Sequence, residues 1–300
     1  MRPLTIAAAA YPLDWLADWA TYEAKAEAWV REATDLGAEL LVFPEYGAME
    51  LASLGGTAVA GDLEAALHEV VAHRAQMEAL FVHLARAHDV YILAPSGPVV
   101  EGGKRVNRAS LFGPMGLIGH QDKQIMTRFE REEWSVSSGG DLTLFETALG
   151  KIGILICYDS EFPLLARQLC EMGAEILLVP SCTDTIAGYT RVRVGAMARA
   201  LENQCVVVQA PTVGDAIWCP AIDENRGAAA IYGPADRGWP ETGILAQGEM
   251  DAPGWVIARA DLDLVARSRS DGAVLPFQHW PEQPARVAKT RIAREKPFNP

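Results

Sequence analysis

Two residues stand where nucleophiles and bases are commonly delivered. Cys157 follows the apolar run Gly153-Ile154-Leu155-Ile156 and precedes Tyr158-Asp159-Ser160-Glu161-Phe162-Pro163. That pattern predicts a buried strand, a sharp turn and then a helix, with Asp159 or Ser160 as N-cap and Pro163 in the first turn. A thiol near a helix N-terminus feels the positive end of the dipole, which favours thiolate. Free backbone N–H groups there can hold an oxyanion. The same context also suits an inert buried cysteine. A cysteine nucleophile needs a base, most often histidine. Of the six histidines, four fall within 68–88 on a helical stretch, and His120 is the nearest to a strand end. The other candidate base is a carboxylate. Glu45 ends the run Leu41-Val42-Phe43-Pro44, and apolar walls raise a carboxyl pKa toward neutrality, where proton transfer is efficient.

The elements that must position these groups alternate between strand and helix. Strands are expected at Leu4 to Ala9, Leu40 to Pro44, Val90 to Ala94, Ala109 to Phe112, Leu117 to His120, Ile152 to Ile156, Ile176 to Val179 and Cys205 to Gln209. Two more are expected at Ala228 to Tyr232 and Val256 to Ala260, in a Gly- and Pro-rich region of loops and hairpins. Helices are expected at Tyr22 to Leu36, Asp62 to Ala87, Phe162 to Met172 and Tyr189 to Asn203. Residues 123–141 read as a charged loop. One internal echo stands out: Gly37-Ala38-Glu39-Leu40-Leu41-Val42-Phe43-Pro44 returns as Gly173-Ala174-Glu175-Ile176-Leu177-Leu178-Val179-Pro180. It is either a generic helix–glycine–strand junction or the trace of a duplicated half. Ligands gather at the carboxyl ends of strands in α/β sheets, which adds Ser181, Cys182 and Thr183 to Glu45 and Cys157.

Composition narrows the class. The 300 residues are 50% hydrophobic, and 26 basic against 39 acidic residues give a formal net charge of −13. Such a chain lacks the basic footprint of a nucleic-acid or anionic-membrane binder. No apolar run approaches the ~18 residues of a membrane span, and the N-terminus does not read as a signal peptide. Five cysteines with no CxxC pair, and no HExxH, argue against a disulfide framework or a zinc site; the expected compartment is the cytoplasm.

Phe43-Pro44-Glu45, Asp122-Lys123 and Cys157-Tyr158-Asp159, in this order and spacing, resemble the Glu–Lys–Cys signature of the nitrilase superfamily, the carbon–nitrogen hydrolases. Gly37-Ala38-Glu39, Gly173-Ala174-Glu175 and Arg199-Ala200-Leu201-Glu202-Asn203 are similar to the family as well. The resemblance runs over about residues 3 to 265 and implies an α/β fold, a four-layer α-β-β-α sandwich of two related halves. It implies Glu45 as general base, Cys157 as nucleophile forming a thioester, and Lys123 with the Tyr158 N–H as oxyanion donors. It also implies a second glutamate, assigned to Glu130, with Glu132 and Glu133 as rivals. Tyr158, Ser181, Cys182 and Thr183 are the expected substrate-binding residues.

Cys157-Tyr158-Asp159, where nitrilases usually carry Cys-Trp-Glu, implies the amidase-like branch and a small amide substrate. Ser160 and Glu161, where omega-amidases often carry a basic residue, count against a dicarboxylic monoamide. A carbamoyl amino acid hydrolase and a nitrilase remain alternatives, and a non-enzymatic scaffold is the rival from another class. A lipoprotein acyltransferase would need membrane spans, and a glutamine-dependent synthetase a second domain. Neither metal nor organic cofactor is expected, and a homodimer is, through the helices after the catalytic strands. Residues 1–270 are expected to form the hydrolase domain and 271–300 a basic extension carrying Arg286, Lys289, Arg291, Arg294 and Lys296. Arg191, Arg193 and Arg199 read as the solvated side of a helix, with recognition of a substrate carboxylate as the alternative.

Overall fold

The computed structural model describes residues 1–295; Lys296 of the basic extension lies outside the described residues. In chain order the strands are β1 (Pro3–Pro12), β2 (Leu40–Val42), β3 (Tyr91–Leu93), β4 (Gly97–Glu101), β5 (Lys104–Gly113), β6 (Gly116–Asp122), β7 (Leu144–Glu146), β8 (Lys151–Ile154), β9 (Ile176–Ser181), β10 (Val206–Asp215), β11 (Glu224–Asn225), β12 (Ala230–Tyr232), β13 (Ile244–Gln247) and β14 (Gly254–Asp261). The helices are α1 (Trp19–Asp35), α2 (Thr57–Ala60), α3 (Leu63–His88), α4 (Arg128–Glu132), α5 (Pro163–Glu171), α6 (Ile186–Asn203), α7 (Leu262–Asp271), α8 (Pro276–His279) and α9 (Gln283–Val287).

Strands β4-β5-β3-β2-β1 are neighbours in one half and β10-β9-β8-β7 in the other. The halves join where the end of β1 pairs in parallel with β10, at Tyr11 with Thr212 and Pro12 with Val213. Alternation along β1 explains the layering. Leu4, Ile6, Ala8 and Ala10 face the apolar cluster built by β8, β9 and β10. Ala7, Ala9 and Tyr11 face the cluster that contains Val30 of α1 and Phe81 of α3. A period of two on a strand buried on both faces makes one side a sheet-to-sheet contact and the other a sheet-to-helix contact. With α5 and α6 covering the second half, the order is helix, sheet, sheet, helix, as the resemblance implied.

The internal echo is structural. In the first half Gly37 takes φ +80° and Ala38 N–H donates to Ala33 C=O at 3.0 Å; in the second Gly173 takes φ +110° and Ala174 N–H donates to Leu169 C=O at 2.9 Å. Then Glu39 N–H donates to Thr5 C=O and Glu175 N–H to Lys151 C=O, each at 2.9 Å. Both helices end on a residue in the left-handed region, where glycine carries no Cβ penalty, and both feed a parallel strand.

Several boundaries differ from expectation. β1 runs from Pro3 to Pro12 because β14 pairs with it over eight positions, from Pro3 with Asp261 to Ala10 with Gly254, and β10 then pairs with Tyr11 and Pro12. α1 starts at Trp19 because the Asp18 side chain accepts from Thr21 N–H at 2.8 Å. α6 starts at Ile186 because Thr185 caps Gly188 N–H at 3.1 Å. The charged loop 123–141 contains α4, opened by a capping box between Thr127 and Glu130. The strands β4, β7 and β13 have short or Gly- and Pro-containing sequences that carry little periodic signal. In the C-terminal segment, the Arg167 guanidinium of α5 stacks on Phe277 and Trp280 at 4.3 and 5.0 Å and holds α8 against the body.

Candidate active site

Glu45 lies three residues beyond the end of β2, and Cys157 three residues beyond the end of β8. Lys123 follows β6 directly, and Glu130 belongs to α4. These four come from three distant segments of the chain and line one cavity of about 330 Å³. Glu45 and Lys123 are each 1% exposed and Cys157 4%, so the groups form its floor.

Lys123 Nζ donates to Glu45 Oε1 at 2.7 Å and to Glu130 Oε1 and Oε2 at 2.8 and 2.7 Å. Glu45 has two further donors: Asn107 Nδ2 at 3.0 Å to Oε1, and Cys182 N–H at 3.0 Å to Oε2. The Cys157 thiol donates to Cys182 C=O at 3.7 Å. One residue, Cys182, thus orients the carboxylate with its N–H and the thiol with its carbonyl. Glu130 is held by the Tyr46 hydroxyl at 2.7 Å and by Thr127 N–H and hydroxyl at 2.8 and 2.9 Å. A buried lysine or carboxylate alone is costly, and here each charge meets opposite charge and hydrogen-bonding partners.

The electrostatics divide the carboxylates into two kinds. Burial raises the Glu45 pKa to about 7, with Lys123 opposing and Glu130 adding to the rise. Burial also acts on Glu130, but Lys123 overcomes it and holds that carboxyl below its ordinary value. Burial would lower the Lys123 pKa, and the two glutamates instead raise it well above the ordinary value. Lys123 is therefore a fixed cation, Glu130 a fixed anion, and Glu45 a group that exchanges its proton near neutrality. The Cys157 thiol differs from the helix-dipole expectation. Burial and the Glu45 carboxylate push its pKa well up, against the pull of Lys123. The resting sulfur is a thiol, and only a base that takes its proton could make it nucleophilic.

Backbone geometry sets the direction of the Cys157 thiol. Cys157 adopts φ +50°, in the left-handed region that non-glycine residues rarely occupy, as does Tyr46 beside Glu45 with φ +54°. Cys157 opens a short 3-10 turn, Cys157–Glu161, where the first N–H groups lack intrahelical acceptors. The Tyr158 N–H is one of them.

The remaining expected residues divide. Tyr158, Cys182 and Thr183 line the cavity, and Ser181 does not. Ser181 is buried on the other side of the strand end, where its hydroxyl donates to Ala210 C=O at 3.5 Å, because successive side chains alternate. Among the rival glutamates, Glu132 pairs with Arg128 at the surface and Glu133 is exposed. Arg199 is not on a solvated face: it is buried, donates to Ser160 C=O at 3.0 Å and pairs with Glu202. It braces the turn after Cys157. Arg191 lines the cavity, paired with Glu161 at 3.5 Å, and Arg193 reaches Gln247 at 3.4 Å.

Sequence reasoning missed Asn107, Ser96 and Tyr46. Asn107 is fully buried, and its Oδ1 accepts from Ser96 Oγ at 2.8 Å, while Ser96 Oγ accepts from Tyr46 N–H at 3.0 Å. This relay holds the Glu45 turn to β5. Its one sequence signal is a polar residue inside the strand pattern Val106-Asn107-Arg108-Ala109.

Comparison with known proteins places the chain in a family. The family model for carbon-nitrogen hydrolase matches residues 5–269. A probable hydrolase of Bacillus subtilis (strain 168), YhcX, is 33% identical over 272 residues, which is 91% of this chain and 52% of that protein, so the chain spans about half of its length. The omega-amidase NIT2 of Danio rerio is 29% identical over 215 residues, 69% of this chain and 71% of that protein. The crystal structure of Saccharomyces cerevisiae Nit3, a member of branch 10 of the nitrilase superfamily, superposes with a TM-score of 0.70 at 20% identity, covering 89% of this chain and 93% of that one. The last likeness is one of fold. Matched over nearly its whole length by the family model, the chain belongs to the carbon-nitrogen hydrolases of the nitrilase superfamily.

Proposed function

We propose that this hydrolase is an amidase that releases ammonia from a small amide through a thioester on Cys157. The observation that carries the reading is a neutral thiol at the floor of a cavity beside a carboxyl, Glu45, whose pKa is about 7. Glu45 takes the thiol proton as sulfur bonds to the amide carbon, and the oxyanion forms between Lys123 Nζ and the Tyr158 N–H. The protonated Glu45 then gives its proton to the nitrogen as the carbon–nitrogen bond breaks. Water attacks the thioester while Glu45 takes its proton, and as the carbon–sulfur bond breaks Glu45 passes that proton to sulfur, restoring thiol and carboxylate and releasing the acid. Glu130 keeps Lys123 charged and in place without moving a proton itself.

The rim supports a substrate without a free carboxylate. Glu161, Asp184, Asp223 and Glu224 line the cavity, while its two arginines, Arg128 and Arg191, are already paired with Glu132 and Glu161. An anionic substrate would meet like charge there. The exposed Leu164, Val194 and Leu201 on α5 and α6 support the homodimer. Five free thiols support a reducing, cytoplasmic compartment. Residues 1–270 serve as the hydrolase unit and 271–300 as its extension.

An ammonia-release screen over small neutral amides, dicarboxylic monoamides, carbamoyl amino acids and nitriles tests the reading. Turnover of neutral amides is expected. Release of carbon dioxide together with ammonia would make it a carbamoylase, and turnover of nitriles alone would overturn the amidase assignment.

A further inference from the structure

The two proposed oxyanion donors belong to segments far apart in the chain, yet their spacing must hold to a fraction of an ångström. Lys123 and the residues after it form a loop leaving β6, and Tyr158 lies in the turn after β8. Backbone pairing ties the lysine to its own half, through Lys123 N–H to Asn107 C=O at 2.9 Å. One side chain bridges to the other segment. The Asp159 carboxylate, fully buried, accepts from Ile125 N–H at 2.8 Å on Oδ1 and from Gln124 N–H at 3.2 and 3.1 Å on Oδ1 and Oδ2. Its Oδ2 also accepts from Ile156 N–H at 3.2 Å, the residue before the nucleophile.

We propose that Asp159 is a positioning residue: a carboxylate clamp that sets the distance between the Lys123 ammonium and the Cys157–Tyr158 turn, and so shapes the oxyanion site. It touches neither substrate nor sulfur. Three amides from two segments converge on its two oxygens, and hydrogen bonds to an ionised acceptor are stronger than neutral ones. An amide side chain cannot replace it. Asparagine offers a single acceptor oxygen and turns its NH₂ donors toward the N–H of Ile156 or of Gln124 and Ile125. The clamp then opens on one side. Misplacement by about 1 Å can cost on the order of a hundredfold in rate.

This inference rests on the proposed amidase reading, and its test is chosen so that the two fail separately. In Asp159→Asn, assayed well below its melting temperature, kcat is expected to fall about a hundredfold while KM stays near the wild-type value. The rate at which iodoacetamide alkylates Cys157 should fall with it. Asp159→Glu, which retains the charge and both acceptor oxygens, should recover part of the alkylation rate. Unchanged kcat and alkylation in Asp159→Asn overturn the clamp, whatever that variant's stability. If wild-type protein releases no ammonia, the amidase reading fails, and the alkylation rates still decide the role of Asp159. Amide hydrogen exchange on the wild-type protein decides it if the variants do not fold. Gln124 and Ile125 N–H should be protected, and exchange at the rate of an open loop overturns the clamp.

Discussion

Two buried glutamates only five residues apart, Glu45 and Glu50, each pair with a lysine, and they do different things. Glu50 is fully buried and accepts from the Tyr11 hydroxyl at 2.9 Å, from Asp14 N–H at 2.7 Å and from Lys25 Nζ. Lys25 is itself satisfied by Pro12 C=O at 2.7 Å and Asp14 at 2.6 Å, and lies 4.3 Å from the centre of the Tyr11 ring. This cluster pins α1 and the end of β1 to the turn Gly47–Gly55, and Glu50 is not among the residues lining the cavity that Glu45 faces. Glu45 has comparable burial and a comparable lysine. It differs in what else it faces: a thiol, a second carboxylate on the same lysine, and open volume. A buried ion pair is therefore no sign of chemistry in itself. Unoccupied space beside a group that can exchange a proton distinguishes the two.

The comparison can be broken most sharply at the sulfur. Cys157→Ala should reduce ammonia release to background and abolish any acyl adduct seen by mass spectrometry after rapid quenching. An adduct mapped instead to Cys170, Cys182, Cys205 or Cys219 would defeat the assignment. Glu45→Gln should lower kcat by about a thousandfold, the range expected for a general base that serves both steps. Glu130→Gln should lower it by about a hundredfold through a displaced Lys123, whereas Glu132→Gln should leave it unchanged.

The pH profile tests the proton-exchanging role. The base must be deprotonated, and Glu45 holds its proton up to about 7. The rate at low substrate should rise with pH through about 7 and fall about tenfold per unit below it. The apparent value belongs to the coupled cluster rather than to Glu45 alone. A profile flat from pH 5 to 8 would remove Glu45 as base. The smallest catalytic effect is expected at the other pair. Glu50→Gln removes one of the two carboxylates on Lys25 and leaves Asp14; it should cost about 2 kcal/mol of stability, read as a lowered melting temperature. Its kcat, measured well below that temperature, should remain at the wild-type value.

Much of the frame was legible because it depends on local signals. The Gly37 and Gly173 junctions combine a helix end with a buried apolar strand, and those signals hold in any context. Glu45 and Cys157 were legible for the same reason, since each follows such a strand. Lys123 and Glu130 were not, because a charged loop reads as solvated until other elements cover it. Ser181 was misplaced because the strand-end rule says where a residue falls along the strand but not which face it takes. Arg199 was misread because a helix face is solvated only if nothing packs on it, and here the turn after Cys157 does. Asn107 carried almost no signal, since its role is to touch a residue 62 positions away.

By itself the sequence determined the order of the main core strands and long helices, the duplicated junction, and the residues at two strand ends, because hydrophobic periodicity and glycine conformational freedom act over a few residues. Only the tertiary structure decided which glutamate keeps its proton near neutrality and which stays ionised. That outcome depends on desolvation and on the distance to Lys123, and both arise only when β2, β6, α4 and the turn after β8 converge on one cavity.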